Sequence, residues 1–169
     1  MVVRRCVVWQ AQNGAVFQFG WWLRRGVQKV RISDVDVIHI DWCTFKNSKC
    51  HLSTNKAVID LGGTKMKFIQ VSDIVMSNIR IEGSCPRLVY FKLEPSLTGS
   101  VTKMHFKNWS IESKTTHDNY HNEIQGANKA SVSDWTFTNL KIGGQCISSP
   151  RQANFRLGSH TNNIKFTCP

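Results

Sequence analysis

A chain of 169 residues with 41% apolar side chains is long enough for one domain with its own buried core. Its charge is one-sided, 22 Lys and Arg against 11 Asp and Glu, for a net +11 and a pI near 9.7. The surface therefore attracts anions such as nucleic acid, acidic polysaccharide or an anionic membrane, unless the basic residues only solvate outward faces. No apolar run approaches the roughly 18–20 residues of a membrane-spanning helix, and no C-x-x-C pair is present, which argues against a structural zinc site.

Residues 1–9 carry Arg4 and Arg5 inside their apolar run and lack a small-residue cleavage site, so they do not read as a signal peptide. They read as the second half of a truncated coil, with Val7 and Trp9 as its apolar pair and Val2 and Arg4 as a poor first pair. The turn Gln10–Gly14 leads to a strand, Ala15–Gly20, and then to Trp21, Trp22, Leu23, Arg24, Arg25 and Gly26. Paired indoles followed by paired guanidinium groups suit a sugar ring and its hydroxyls or carboxylates, and equally suit one packed Trp beside two solvated arginines.

Ile32–Trp42 opens with Ile-Ser-Asp, and placed beside the later copies described below it sets His39 and Asp41 where those carry Asn78 and Arg80. On a shared surface His39 and Asp41 would make a proton-transfer pair; a structural histidine is the plainer reading. Thr44–Lys56 reads as a polar loop, and the basic run at 62–67 lacks phosphate-loop spacing.

From residue 71 one pattern recurs: Val71–Gly83, Val101–Ser113 and Val132–Gly144 begin 30 and 31 residues apart. A period of this size is the mark of a repeat architecture. Each copy holds two apolar pairs at spacing two, out of step by one: Ile74/Met76 with Ile79/Ile81, Met104/Phe106 with Trp109/Ile111, and Trp135/Phe137 with Leu140/Ile142. Spacing of two is strand spacing, and on a helix these positions scatter around the circumference. The slip falls on Asn78, Asn108 and Asn139, which predicts a bend taken by a residue that tolerates left-handed backbone, with the asparagines stacked in a ladder. A third strand follows in each unit, at Ala15–Gly20, Ala57–Gly62, Leu88–Leu93, Glu123–Gly126 and Asn154–Gly158. The prediction is an all-β parallel β-helix of about five coils, a single domain over 1–169 with its first coils missing.

His117, Asp118 and His121, near Glu123, form the densest polar cluster and would serve as metal ligands only on a helical turn that the loop composition does not favour. The final unit is expected to keep only its late pair, Ile164 and Phe166. Of the six cysteines, Cys43 and Cys50 are near enough in sequence to pin a loop; the other pairings stay open. Asn108-Trp109-Ser110 is the sole glycosylation sequon, and occupancy is not expected if Asn108 faces inward.

Residues 4–41 carry a resemblance. Arg4–Trp21, with its run Asn-Gly-Ala-Val-Phe-Gln-Phe-Gly-Trp, and Val35-Asp-Val-Ile-His39 resemble the dextranase and isopullulanase family of glycoside hydrolases (family 49), and residues 130–144 look like a later coil of it. The resemblance implies an extracellular, right-handed, pectin-lyase-like β-helix that cuts α-glucans with inversion between paired aspartates. Those aspartates precede the matching stretch, no Asp-Asp pair occurs in this chain, and the family's N-terminal β-sandwich is absent as well. The expectation is thus part of a polysaccharide hydrolase without its catalytic residues, with Gln18, Trp21, Trp22, Arg24, Arg25, His39 and Asp41 as substrate-binding candidates. A non-catalytic polysaccharide-binding module and a pectin-type relative are the alternatives. No metal, cofactor, nucleic-acid or membrane partner is expected; the partner is an α-glucan or an acidic glycan, and the chain a monomer.

Overall fold

The computed structural model describes residues 1–9, 11–12, 15–19, 26–41, 43–46, 49–52, 57–61, 67–83, 85, 87–112 and 121–169, with backbone alone for 11–12, 41, 43–46 and 49–52. In chain order the strands are β1 (Val2–Val8), β2 (Ala11–Gln12), β3 (Phe17–Gln18), β4 (Val27–Val37), β5 (Ile40–Asp41), β6 (Cys43–Lys46), β7 (Lys49–Leu52) and β8 (Ile59–Asp60). They continue as β9 (Phe68–Ile81), β10 (Val89–Lys92), β11 (Thr98–Ile111), β12 (Asn122–Gln125), β13 (Lys129–Ile142), β14 (Gln145–Cys146), β15 (Phe155–Leu157) and β16 (Thr161–Thr167). The long strands β1, β4, β9, β11, β13 and β16 lie side by side, every pair parallel. The short strands β3, β8, β10, β12 and β15 make a second parallel sheet in the same order. Each winding thus adds one strand to both sheets, the parallel β-solenoid that the paired apolar positions predict.

The long strands bend twice rather than once. Lys29, Asp73, Lys103 and Asp134 adopt left-handed backbone, with φ of 56°, 55°, 55° and 60°, and form one column of corners. Arg5, Asp34, Asn78, Asn108 and Asn139 form the second, with φ between 54° and 58°. The pairing between strands steps over these residues, running from Thr102 to Met104 and from Lys107 to Trp109 on β11. Alternation restarts after each corner, so Ile69/Val71, Ile74/Met76 and Ile79/Ile81 all point inward and are buried. The Asn slip read from sequence is the second corner.

That register corrects three expectations. β4 meets β9 with Val27 opposite Val71, Val30 opposite Ile74 and Val35 opposite Ile79. The counterparts of Asn78 and Arg80 are therefore Asp34 and Asp36, not His39 and Asp41. In β1 the inward late positions are Cys6 and Val8, opposite Val35 and Val37, while Val7 and Trp9 are 65% and 72% exposed. In β16, Ile164 and Phe166 stand opposite Trp135 and Phe137, which makes them the early pair. The segment Thr44–Lys56 also contains structure: β6 and β7 form an antiparallel hairpin, Phe45 opposite Cys50, which lacks the solenoid pattern because it belongs to no coil.

The core is a set of stacked columns. Phe106 lies on Phe137 and Phe137 on Phe166, with ring centroids 4.6 and 4.5 Å apart and planes within 15° and 8°. The buried indoles find acceptors, Trp109 Nε1 donating to the Met76 carbonyl at 3.0 Å and Trp135 Nε1 to that of Val101 at 3.4 Å. Gly99 (φ 113°) opens β11 where a Cβ would sit 1.9 Å from the Ile69 carbonyl oxygen, so no other residue fits. Cys146 is bridged to Cys168, tying β14 to the end of β16. Cys6 and Cys85 are free thiols, and burial pushes Cys85 up to about 12. The sulfur atoms of Cys43 and Cys50, the pair expected from sequence, lie outside the described side chains.

The predicted ladder is present, on the outside. Asn139 Nδ2 donates to Asn108 Oδ1 at 3.0 Å, Asn108 Nδ2 to Asn78 Oδ1 at 3.1 Å, and Asn78 Nδ2 to Asp34 Oδ1 at 2.9 Å. The condition set for leaving Asn108 unglycosylated, an inward side chain, is not met: Asn108 is exposed. Ser33 Oγ takes the other oxygen of Asp34, and the two hydrogen bonds hold its carboxyl below the usual range. Asp134 is held down in the same way by Asn163 and Ser133. Because both folded-state values are depressed, this stabilisation is complete above the ordinary carboxylate range and is lost as pH falls through the lowered ones.

Removing the middle rung tests the ladder. Asn108→Ala gives up two side-chain hydrogen bonds and places an alanine in left-handed backbone, at a cost of about 2 kcal/mol. Asn108→Gly, which removes the backbone strain but not the lost bonds, costs about half as much. Urea unfolding of the two variants measures the difference.

Candidate functional site

The chemistry of the described surface concentrates on the outer face of the short-strand sheet. Its inner row is Phe17, Ile59, Val89, Asn122 and Phe155, and its outer row is Gln18, Asp60, Tyr90, Glu123 and Arg156, each residue opposite the next. Adjacent members of the row stand about 4.8 Å apart, the spacing between neighbouring strands.

One inner position is polar. Asn122 is 1% exposed, and its Oδ1 accepts from the backbone N–H groups of Leu88 and Val89 at 2.7 and 2.9 Å, while its Nδ2 donates to the Ala153 carbonyl at 2.7 Å. A single amide thus joins three successive coils, its oxygen accepting two hydrogen bonds and its nitrogen donating a third in a low-dielectric setting. It fixes the heights of β10, β12 and the 3-10 turn Pro150–Ala153 that precedes β15, and so sets the spacing of the outer row.

Along the outer row the residues differ in access. Asp60 points outward by alternation yet is only 2% exposed, and Glu123 is 7% exposed. Glu123 is held from two sides, by Lys92 Nζ at 3.7 Å and His121 Nε2 at 3.3 Å. The Arg87 guanidinium lies 4.4 Å from the centre of the Tyr90 ring, within cation–π range. Gln18 is exposed at one end and Arg156 at the other. The row offers amide, phenol, carboxylate and guanidinium groups in a line, a set suited to hydrogen-bonding hydroxyls. It is poorly suited to acid–base work: Asp60 is closed to a substrate, and Glu123 is engaged by Lys92 and His121.

Of the residues chosen from sequence, Gln18 belongs to this row. His39 lies between β4 and β5 and is exposed; Asp41 is in β5 opposite Gln12, its side chain outside the described set. Neither is in the short-strand sheet. Trp21, Trp22, Arg24 and Arg25 lie outside the described residues, as do His117 and Asp118, whereas His121 makes the contact to Glu123. Asp60, Tyr90, Glu123 and Arg156 were missed. The signal that finds them is alternation within the third strands, because each is the polar residue next to a buried one.

No protein-family model matches the chain, and no curated protein or solved structure matches it significantly. Among the described residues no group of His, Cys, Asp and Glu is placed to hold a metal ion, and no helix is long and apolar enough to cross a membrane.

The inner amide and the outer row are separable. Asn122→Ala leaves two buried N–H groups and a carbonyl without partners and lowers stability by about 3 kcal/mol, whereas Gln18→Ala changes it by less than about 0.5 kcal/mol. Paired denaturation curves measure both.

Proposed function

We propose that this chain is a polysaccharide-engaging β-helix that holds an α-glucan along the outer row of the short-strand sheet and does not hydrolyse it. The observation that carries the reading is the row itself, in which Tyr90, Glu123 and Arg156 follow one another at the step of the coil and Gln18 stands two steps before Tyr90, across the buried Asp60. A hexose unit advances a glucan by a comparable length, so successive sugars meet successive rungs. The preference for an α-glucan comes from the resemblance of residues 4–41 to the dextranase and isopullulanase family. The proposed lack of turnover rests on this row, where among the described residues no carboxylate pair is open to substrate: Asp60 is buried and Glu123 is ion-paired. Inverting hydrolysis needs two carboxyl groups that face the scissile bond with room for a water between them.

Affinity electrophoresis in gels containing dextran or pullulan tests the binding. The chain is expected to be retarded, and Tyr90→Ala combined with Glu123→Gln to migrate as in a glycan-free gel. No reducing ends are expected from either polymer. Reducing ends released by the wild-type chain and lost on substituting His39 or Asp41 would overturn the reading in favour of an enzyme.

A further inference from the structure

On the early long strands Arg4, Arg5 and Lys29 are exposed and without an ion pair among the described residues, and the other cations are neutralised locally. Arg31 is 2.9 Å from Asp73, and Arg80 contacts Asp36 at 2.9 Å, Glu82 at 2.7 Å and Glu112 at 3.8 Å. On the last three long strands they are not. Lys103 and Lys107 on β11, Lys141 on β13 and Lys165 on β16 are exposed, and none has a carboxylate within ion-pairing distance among the described residues. One acidic group shares this face. Asp134 lies in the first corner column next to Lys103, and its oxygens are taken by Ser133 and Asn163.

The strand register and the corners fix how the four lysines are arranged: Lys107 and Lys165 lie between the two corner columns, Lys103 is a first-corner residue at the edge of that face, and Lys141 lies past the second corner, on another face. Lys107 is opposite Thr138, which is opposite Thr167, and His105 is opposite Thr136, which is opposite Lys165. The Lys165 backbone thus lies two strand spacings, about 9.6 Å, from β11. Hydroxyls of Thr136, Thr138 and Thr167 occupy the ground between the cations. Because the backbone between the two corners is a hydrogen-bonded parallel sheet, Lys107 and Lys165 are mounted on a rigid, nearly flat lattice with Lys103 at its edge.

We propose that this face binds an acidic polysaccharide laid across β11, β13 and β16, with Lys103, Lys107 and Lys165 pairing its carboxylates and the threonine hydroxyls meeting its sugar hydroxyls. An extended polyuronate presents a carboxylate to the same side at every second sugar, and two coil steps span a comparable length. Three unpaired ammonium groups on and beside one face attract a polyanion at long range and lose little side-chain pairing when they bind it. A single-stranded nucleic acid carries the same sign of charge but requires aromatic platforms for its bases, and the side chains between these lysines are Thr and His. The surface is distinct from the outer row of the short-strand sheet, so the inference stands or falls apart from the α-glucan reading.

The test is affinity electrophoresis of the full chain against polygalacturonate, dextran and single-stranded DNA in parallel gels. Two double variants are compared with the parent: Lys107→Glu with Lys165→Glu on the proposed face, and Lys29→Glu with Lys67→Glu elsewhere, which change net charge equally. The expected result is retardation by polygalacturonate that weakens with added salt, at least tenfold weaker for the first variant and within twofold of the parent for the second. Binding of dextran, where present, is unchanged by either variant, so loss of dextran binding alone bears on the short-strand row and not on this face. Three results would overturn the inference: equal losses in both variants, no retardation by polygalacturonate, or tighter binding of DNA than of the polyuronate. Near-ultraviolet circular dichroism of both variants, expected to match the parent because all four side chains are exposed, excludes misfolding as the cause of a loss.

Discussion

The structure depends on one constraint, that the long strands must turn at fixed places, two in each of β4, β9, β11 and β13, while staying in register with their neighbours. A turn without a loop requires left-handed backbone, which an L-residue adopts only at a cost of about 1–2 kcal/mol. The chain meets that cost with short polar residues at most corners and recovers part of it by bonding those side chains along the solenoid axis. Asp34, Asn78, Asn108 and Asn139 form such a run, and Asp134 with Asn163 begins another. Once the corners are fixed, the inward positions are fixed with them, and the column of Met76, Phe106, Phe137 and Phe166 can stack. Packing and corner chemistry each define the register, so each strand added to the stack reinforces the ones before it.

The sequence makes most of this legible for β9, β11 and β13, because their apolar pairs and asparagines repeat almost unchanged. It misleads for β4, for a physical reason. Both corners call for the same kind of residue, and the pair Ser-Asp serves at the first corner in Ser72-Asp73 and Ser133-Asp134 and at the second in Ser33-Asp34. Matching Ile32-Ser-Asp to Val71-Ser-Asp therefore slides the strand by one corner and carries His39 onto the asparagine column. The apolar pattern survives the slide because alternation restarts after every corner, which leaves little in a single sequence to reject it. Corners occupied by Arg5, Lys29 and Lys103 are harder still to read, since long basic side chains carry no turn signal.

The functional surface was less legible than the fold, and the outer row shows why. A solenoid brings together residues that are about thirty positions apart, and Asp60, Tyr90, Glu123 and Arg156 share no motif. Only Gln18 was marked in advance, and it was marked through the resemblance of its surroundings and not through its partners. Asn122 was invisible for a similar reason. Its role in joining three coils arises from the heights of Leu88, Val89 and Ala153 in the stack, which no local spacing encodes. Lys103, Lys107 and Lys165 look like ordinary solvated charge in sequence, and gain meaning only when the register sets them on and beside one face without ion-paired partners among the described residues.

In-register parallel stacking is the claim beneath all of this, and cysteine cross-linking tests it most directly. Val75 and His105 are opposite one another on β9 and β11 and both face outward, at a separation that a disulfide can span. Replacing both with Cys should give an intramolecular bridge on mild oxidation, identified by peptide mapping, whereas Val75→Cys with Lys103→Cys or Lys107→Cys should bridge far less. Equal bridging in all three, or none between positions 75 and 105, would contradict the solenoid register.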